Sequence, residues 1–287
     1  MTINLSNEDG LCLLPSTLND NSLQFSSADL EIGSPRHDLI LFLISLPRSK
    51  TTAFERSIVA RGDFYVFHEP FQILYSIKND LLKVGTDKIS EIILSSSNQD
   101  ELWNKILTIA QEQPVFIKDF AHRTRDFILN KNIAEGKNIK ITFLIRDPLL
   151  VMESMYRMEK RLYRERVSYK QLWEIFEYVK NLTGINPIVV EAESLNEHSA
   201  KQVIQEYTKL LGINFLEQAM AWPSGMLDIW TSESWYVNVA NSNGFKNCNG
   251  KAKEPIPEEI KKEMNEINRE VRKYYDKMLN FAISPIN

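Results

Sequence analysis

Leu39-Ile40-Leu41-Phe42-Leu43-Ile44-Ser45-Leu46 runs straight into Pro47-Arg48-Ser49-Lys50-Thr51-Thr52. A short apolar run bounded by turn residues reads as a buried strand. The residues that follow, up to Arg61, have helical character. A strand, a short cationic turn and a helix aim backbone N–H groups and a helix N-terminus at one point, which suits an anion. Arg48, Lys50, Thr51 and Thr52 add charge and hydroxyl donors at the same place. The stretch reads as a phosphate- or sulfate-binding loop.

Outward from this loop the chain alternates. Strands are expected at 39–46, 63–67, 114–118, 139–146 and 187–191, and helices at 50–61, 72–83, 100–112, 148–166, 168–182, 197–211 and 256–280. Strands apolar on both faces and separated by helices imply an α/β fold, a central mostly parallel sheet flanked by helices. Residues 1–37 lack periodicity and read as an N-terminal arm, partly disordered, ahead of a single domain over 38–287. Residues 241–254, rich in Asn, Gly and Lys, read as a mobile loop.

Of the 287 residues, 43% are hydrophobic and 25% charged, an ordinary globular balance. A net charge of −4 gives no global pull toward nucleic acid or anionic membrane, so an anion site must be local. No apolar run approaches the roughly 18–20 residues needed to span a bilayer, and no secretory signal is expected. Cys12 and Cys248 lie in polar segments without metal-ligand spacing. The expectation is a cytoplasmic, metal-free protein.

A second anion element closes the fourth strand. In Arg146-Asp147-Pro148, Pro148 suits the first helical position and Asp147 the N-cap. Arg146 then stands at the C-terminal edge of the sheet, where ligands bind in open α/β folds. Ser154 follows about two turns into the helix, and an arginine fork with a hydroxyl at that separation can grip one phosphate. A capped helix with a surface ion pair would read the same way if this element stood alone.

Together, Pro47-Arg48-Ser49-x-Thr51-Thr52 and Arg146-Asp147-Pro148-x5-Ser154 resemble the sulfotransferase superfamily over roughly residues 39–280. His68-Glu69-Pro70-Phe71, Phe116-Ile117-Lys118-Asp119 and Glu193-Ser194-Leu195 resemble further elements of its bacterial-type, small-molecule members. The resemblance implies a P-loop-like sulfotransferase fold and 3′-phosphoadenosine 5′-phosphosulfate (PAPS) as sulfo donor, without metal. It implies that Arg48, Ser49, Lys50, Thr51 and Thr52 hold the 5′-phosphosulfate and that Arg146 and Ser154 hold the 3′-phosphate. Lys246, Gly250, Lys251 and Lys253 are the candidates for a late basic element of the donor site. Lys50 stands where the family usually has Gly, and Ala53 where many members have an aromatic facing adenine, which leaves Phe54 or another aromatic for that task.

The catalytic candidates are Arg48 and Lys118 as cations at the leaving oxygen, and Glu69, then His122, as the base that takes the acceptor's proton, with His68 and Asp119 behind them. His68 as a satisfied core histidine and Asp119 as the N-cap of the next helix are the bland alternatives. The acceptor is expected to be a small-molecule hydroxyl or amine; the sequence leaves its identity and the oligomeric state open. Phe64, Tyr65, Phe67, Phe71 and Tyr75 gather near the candidate base, and Trp230, Trp235 and Tyr236 gather late; such aromatics are core more often than ligand wall. The basic stretch Arg157 to Arg166 reads as a solvated face or as a steering surface for an anionic donor. Two rivals stand beside this reading. A P-loop nucleotide kinase needs Gly at the positions held by Ile44 and Ser49. A non-catalytic relative would bind nucleotide or a partner protein without turnover.

Overall fold

A computed structural model of the chain describes residues 32–81, 88–136, 138–230, 233–245 and 254–284. Five strands form one sheet: β1 (Ile40–Ser45), β2 (Tyr65–His68), β3 (Val115–Phe120), β4 (Ile139–Ile145) and β5 (Val189–Glu191). Their order is β2-β3-β1-β4-β5, and every pairing is parallel. In β1, Ile40, Phe42 and Ile44 join one core while Leu41 and Leu43 join the other, because successive strand residues point to opposite faces. That double burial is why the run is apolar without alternation.

Helices cover both faces. The first core packs under α2 (Pro70–Lys78), α3 (Lys88–Leu94), α4 (Gln99–Ala110), α5 (Ala121–Lys131), α6 (Pro148–Glu159), α7 (Tyr169–Thr183) and, after two intervening helices, α10 (Glu258–Leu279). The second packs under α1 (Thr51–Arg61) and α8 (Ala200–Leu211). The remaining helix, α9 (Glu233–Ala240), carries Tyr236 and Ala240 into a small separate core with Trp230. Each fully buried Leu, Ile or Phe contributes about 1.5–3 kcal/mol relative to exposure.

The connections set the place of the site. From β1 the chain leaves toward the β3–β2 side of the sheet; from β4 it leaves toward β5. The adjacent strands β1 and β4 therefore part company at their C-terminal ends and open a crevice, the switch point at which open α/β sheets hold ligands. Arg48 follows β1 and Arg146 follows β4.

Several elements differ from expectation. Helix α5 was not among the expected helix ranges: His122, Arg123, Arg125 and Asp126 hide its buried stripe of Ala121, Thr124, Phe127 and Ile128. Likewise α3 and α9 were not anticipated, being short. The helix expected over 148–166 ends at Glu159, where Lys160 takes a left-handed φ of 55° and donates its N–H to Tyr156 O. Arg166 then pairs with Glu159 at 2.6 Å and stacks on Tyr163, folding the basic stretch back on itself. Within the expected N-terminal arm, Gly33 exchanges backbone hydrogen bonds with Gly212 and Asn214 beyond α8, so residues from 32 onward are seated on the domain. Gly212 is glycine for a reason: its φ of 73° closes α8 in the left-handed region. No described helix is long and apolar enough to cross a membrane.

Candidate active site

The turn after β1 is tightly wound. Arg48 and Lys50 both take left-handed backbone angles, φ 70° and 60°. Turns of this kind direct consecutive N–H groups into one concavity. The first N–H groups of α1 point the same way, because a helix leaves them without partners inside it. Lys50 thus adopts the conformation that a glycine would take freely, and its side chain carries a compensating task. Its Nζ donates to the carbonyls of Ala192 at 2.9 Å and Leu195 at 3.4 Å, tying the loop to the turn after β5.

Across the crevice, α6 begins as its sequence suggests. Pro148 sits at the first helical position and Asp147 caps the helix by accepting from Leu149 N at 2.9 Å. The Arg146 guanidinium reaches over to β1: its Nη1 donates to Arg48 O at 2.8 Å, and its Nε donates to Glu193 Oε1 at 2.9 Å. Arg48 Nε donates to Ser154 Oγ at 3.0 Å. The two anion elements are therefore interlocked. Burial first, and the Arg146 charge second, lower the Arg48 pKa from its usual value, which marks how crowded with positive charge the crevice is.

These groups line one cavity of about 560 Å³. Arg48, Lys50, Thr51 and Thr52 form one wall, and Arg146, Ser154 and Arg157 belong to the other side. Trp235 of α9 closes it, with the Arg48 guanidinium 5.7 Å from its ring centroid. Ser49, expected among the donor contacts, does not line this cavity; it is fully buried and its hydroxyl has no hydrogen-bond partner. Phe54 is not available to a ligand either, since it packs edge-on against Tyr207 in the second core. Trp235 is the aromatic the cavity presents. Lys246, Gly250, Lys251 and Lys253 lie outside the described residues.

Beside Arg48, at the ends of β2 and β3, lies a buried ionic cluster. Lys118 and Glu55 are fully buried, and Glu69 nearly so, at 12% side-chain exposure. Lys118 Nζ lies 2.6 Å from Glu69 Oε1 and 3.7 Å from Glu55 Oε2. The shorter contact is a close approach of opposite charges without good hydrogen-bond alignment. Burial opposes the ammonium form of Lys118, but the carboxylates of Glu69 and Glu55 outweigh it and raise the pKa. His68 Nδ1 faces both oxygens of Glu55, at 2.9 and 2.8 Å, and its Nε2 meets Tyr236 Oη at 2.8 Å. Since a carboxylate only accepts, Nδ1 carries a proton. His68 is thus a fully satisfied interior histidine.

Of the expected catalytic groups, Arg48 stands in the cavity, while Glu69, Lys118 and His122 are not among its lining residues. The Glu69 carboxylate offsets a small part of the lowering of the Arg48 pKa. Glu69 occupies the N-cap position of α2 with a left-handed φ of 47°, and its side chain makes no cap hydrogen bond. Asp119 caps this helix and not the one that follows it, whose N-cap position is Phe120: its Oδ2 accepts from Phe71 N at 2.7 Å and Gln72 N at 3.2 Å. Burial is the main cause that pushes its pKa up to about 7. His122 stacks on Phe120 with both ring nitrogens unpartnered, and burial, Arg123 and Arg166 push it down to about 3. Phe67 and Phe71 are core, whereas Tyr236 reaches His68.

Two contributors escaped the sequence reading. Glu55 sits in α1 three residues beyond the anion loop, and a carboxylate amid Phe54, Ser57 and Ile58 was the available signal. Glu193 was noted for its turn, but its partner Arg146 lies 47 positions away and nothing local announces the pair.

Among the described residues no cluster of three His, Cys, Asp or Glu side chains could hold a metal ion. No curated protein matches this chain. Among solved structures, a sulfotransferase domain from the Synechococcus PCC 7002 olefin synthase is similar at 14% identity and a TM-score of 0.46, covering 82% of this chain and 94% of that one. The family described as Sulfotransferase domain matches residues 39–279, from the residue before β1 to the last residue of α10. Both arginine-bearing strand ends fall inside that match, and the chain belongs to the sulfotransferase domain family.

Proposed function

We propose that this sulfotransferase moves a sulfuryl group from PAPS to a hydroxyl or amine of a small molecule. One observation carries the reading: arginines from the ends of adjacent parallel strands meet in a single cavity, one hydrogen-bonded to the other's carbonyl. A donor with phosphate at both ends of one adenosine needs two cationic pockets within a nucleotide's length. The loop at Arg48, Thr51 and Thr52 takes the 5′-phosphosulfate, Arg146 with Ser154 takes the 3′-phosphate, and Trp235 offers its face to adenine.

In the transfer, the acceptor atom bonds to sulfur while the bond from sulfur to the phosphate oxygen breaks. By analogy with phosphoryl transfer the transition state is loose, with charge growing on the leaving oxygen. Arg48 stabilises that charge and, as a guanidinium, stays charged throughout. The acceptor's proton passes to Glu69. His122 is the weaker choice, because both its ring nitrogens are buried beside Phe120, whereas the Glu69 side chain keeps 12% of its surface exposed. Lys118, fully buried between Glu69 and Glu55, orients the base.

Calorimetric titration with adenosine 3′,5′-bisphosphate tests the donor, and sulfuryl transfer from PAPS to a panel of small alcohols and amines tests the reaction. Binding and turnover without added metal are expected. Absence of bisphosphate binding, or tighter binding of ATP with magnesium, would replace this reading with the kinase one.

A further inference from the structure

Behind Arg146 lies an acidic pair that sulfuryl transfer does not itself require. Glu191 ends β5, and Glu193 stands two residues later in the 3₁₀ turn Ala192–Ser194. Glu193 gives one oxygen to Arg146 Nε. Its other oxygen, Oε2, is buried and has no hydrogen-bond partner. The Glu191 carboxyl lies within hydrogen-bonding reach of Glu193, and it also accepts from Ser194 N at 3.1 Å and from the Tyr275 hydroxyl at 3.3 Å. Two carboxyls thus share one arginine. The orphaned oxygen of Glu193 needs a donor, and the neighbouring carboxyl can donate only while it carries a proton.

We propose that Glu191 and Glu193 hold one proton between them, and that this proton sets how firmly Arg146 grips the donor's 3′-phosphate. The inference rests on the donor reading above. With the proton in place, the pair carries one negative charge, matched by Arg146. Once it leaves, a second negative charge stands beside the arginine and repels the incoming phosphate. Burial, then the charge of Glu193, push the Glu191 carboxyl up to about 7, so the loss falls near neutral pH.

Among the described residues, the neighbours of the pair are tied up. Lys50 is bonded to the carbonyls of the turn. Asp147 is paired with Arg272 of α10 at 2.6 Å. Tyr275 of α10 and Tyr169 of α7 are both raised, chiefly by burial, and stay neutral. The acid pair is therefore the element at this turn that changes charge between pH 6 and pH 8.

The test uses the whole chain and calorimetry with adenosine 3′,5′-bisphosphate at pH 6 and pH 8. Glu191→Gln imitates the protonated acid permanently, because its amide donates to Glu193 at every pH. At pH 6 wild type and variant are expected to bind within about twofold of each other; at pH 8 the variant should bind about tenfold tighter. Adenosine 5′-phosphate, which lacks the 3′-phosphate, should show no such divergence. An affinity ratio that is the same at both pH values overturns the proposal. A wild type that ignores the bisphosphate at both pH values overturns the donor reading with it. Should the variant fail to fold, proton exchange by the wild type decides, from titrations at pH 7 in two buffers of different ionisation enthalpy. Net proton uptake with the bisphosphate, beyond that with the 5′-phosphate, supports the shared proton, because a phosphate settling on an arginine sheds protons of its own. Net release or no difference overturns it.

Discussion

The cavity at Arg48 and Arg146 and the cluster at Lys118 and Glu55 sit at the same end of the same sheet, yet they handle charge in opposite ways. In the cluster, Lys118 faces two carboxylates and His68 faces one of them, so the charges answer one another. In the cavity, Arg48 bonds to the Ser154 hydroxyl and the Trp235 carbonyl and Arg146 to a carbonyl and one carboxylate, and four cations line the space against the single lining carboxylate of Glu153. In the cluster each buried charge already has an opposite charge within 4 Å. An unbalanced, solvent-reached one lowers its energy by taking an anion. The contrast separates the part of the sheet edge proposed to take the donor from the part that holds the proposed base, Glu69, in place.

Substitutions sharpen or break that contrast. The largest effect is expected at the cluster. Glu55→Ala leaves Lys118 and His68 short of a buried partner and should cost about 3–5 kcal/mol in urea unfolding. A loss below about 1 kcal/mol would mean the cluster is not held by its charges. Next comes Arg48→Ala, expected to lower turnover about 10²–10³-fold, as removal of a donor to a developing oxyanion does, with little change in unfolding midpoint. Arg146→Ala should weaken adenosine 3′,5′-bisphosphate binding by about 10–100-fold, the worth of hydrogen bonds to a charged group, while adenosine 5′-phosphate binding changes far less. Equal losses for the two ligands would remove Arg146 from the 3′-phosphate.

Smaller effects follow. Asp119 has its folded-state pKa raised to about 7 from 3.8, so the folded chain holds its proton more tightly than the unfolded chain. Its contribution to stability is full below the unfolded value and is lost as pH rises through about 7. Melting temperature should fall by a few degrees from pH 5 to pH 8, and Asp119→Asn should flatten that slope. The least change is expected from Lys50→Gly. Glycine relieves a left-handed φ of 60° but loses the bonds to Ala192 and Leu195, so unfolding free energy should move by less than about 1 kcal/mol.

Much of the fold was readable because its signals are local. The five strands announced themselves as short apolar runs, and Asp147-Pro148 marked the start of α6. Boundaries slipped where a tertiary contact overrode the local pattern, as at Lys160, where an ion pair and ring stacking end a helix that periodicity would continue. Helix α5 was hidden because its exposed face is dense with charge. Within the site, Arg48, Thr51, Thr52, Arg146 and Ser154 were legible as motif residues. Glu55 and Glu193 were not, since each matters through a partner distant in the chain.

Sequence alone determined which strand ends carry arginine and which helices begin beside them, since strand propensity, turn chemistry and helix capping act over a few residues. Only the tertiary structure decided that β1 and β4 are neighbours, that Trp235 closes the cavity, and that Lys50 holds a distant turn. Those outcomes depend on strand order and on charged side chains finding carbonyl or carboxylate partners 47 to 187 positions away, which no local pattern encodes.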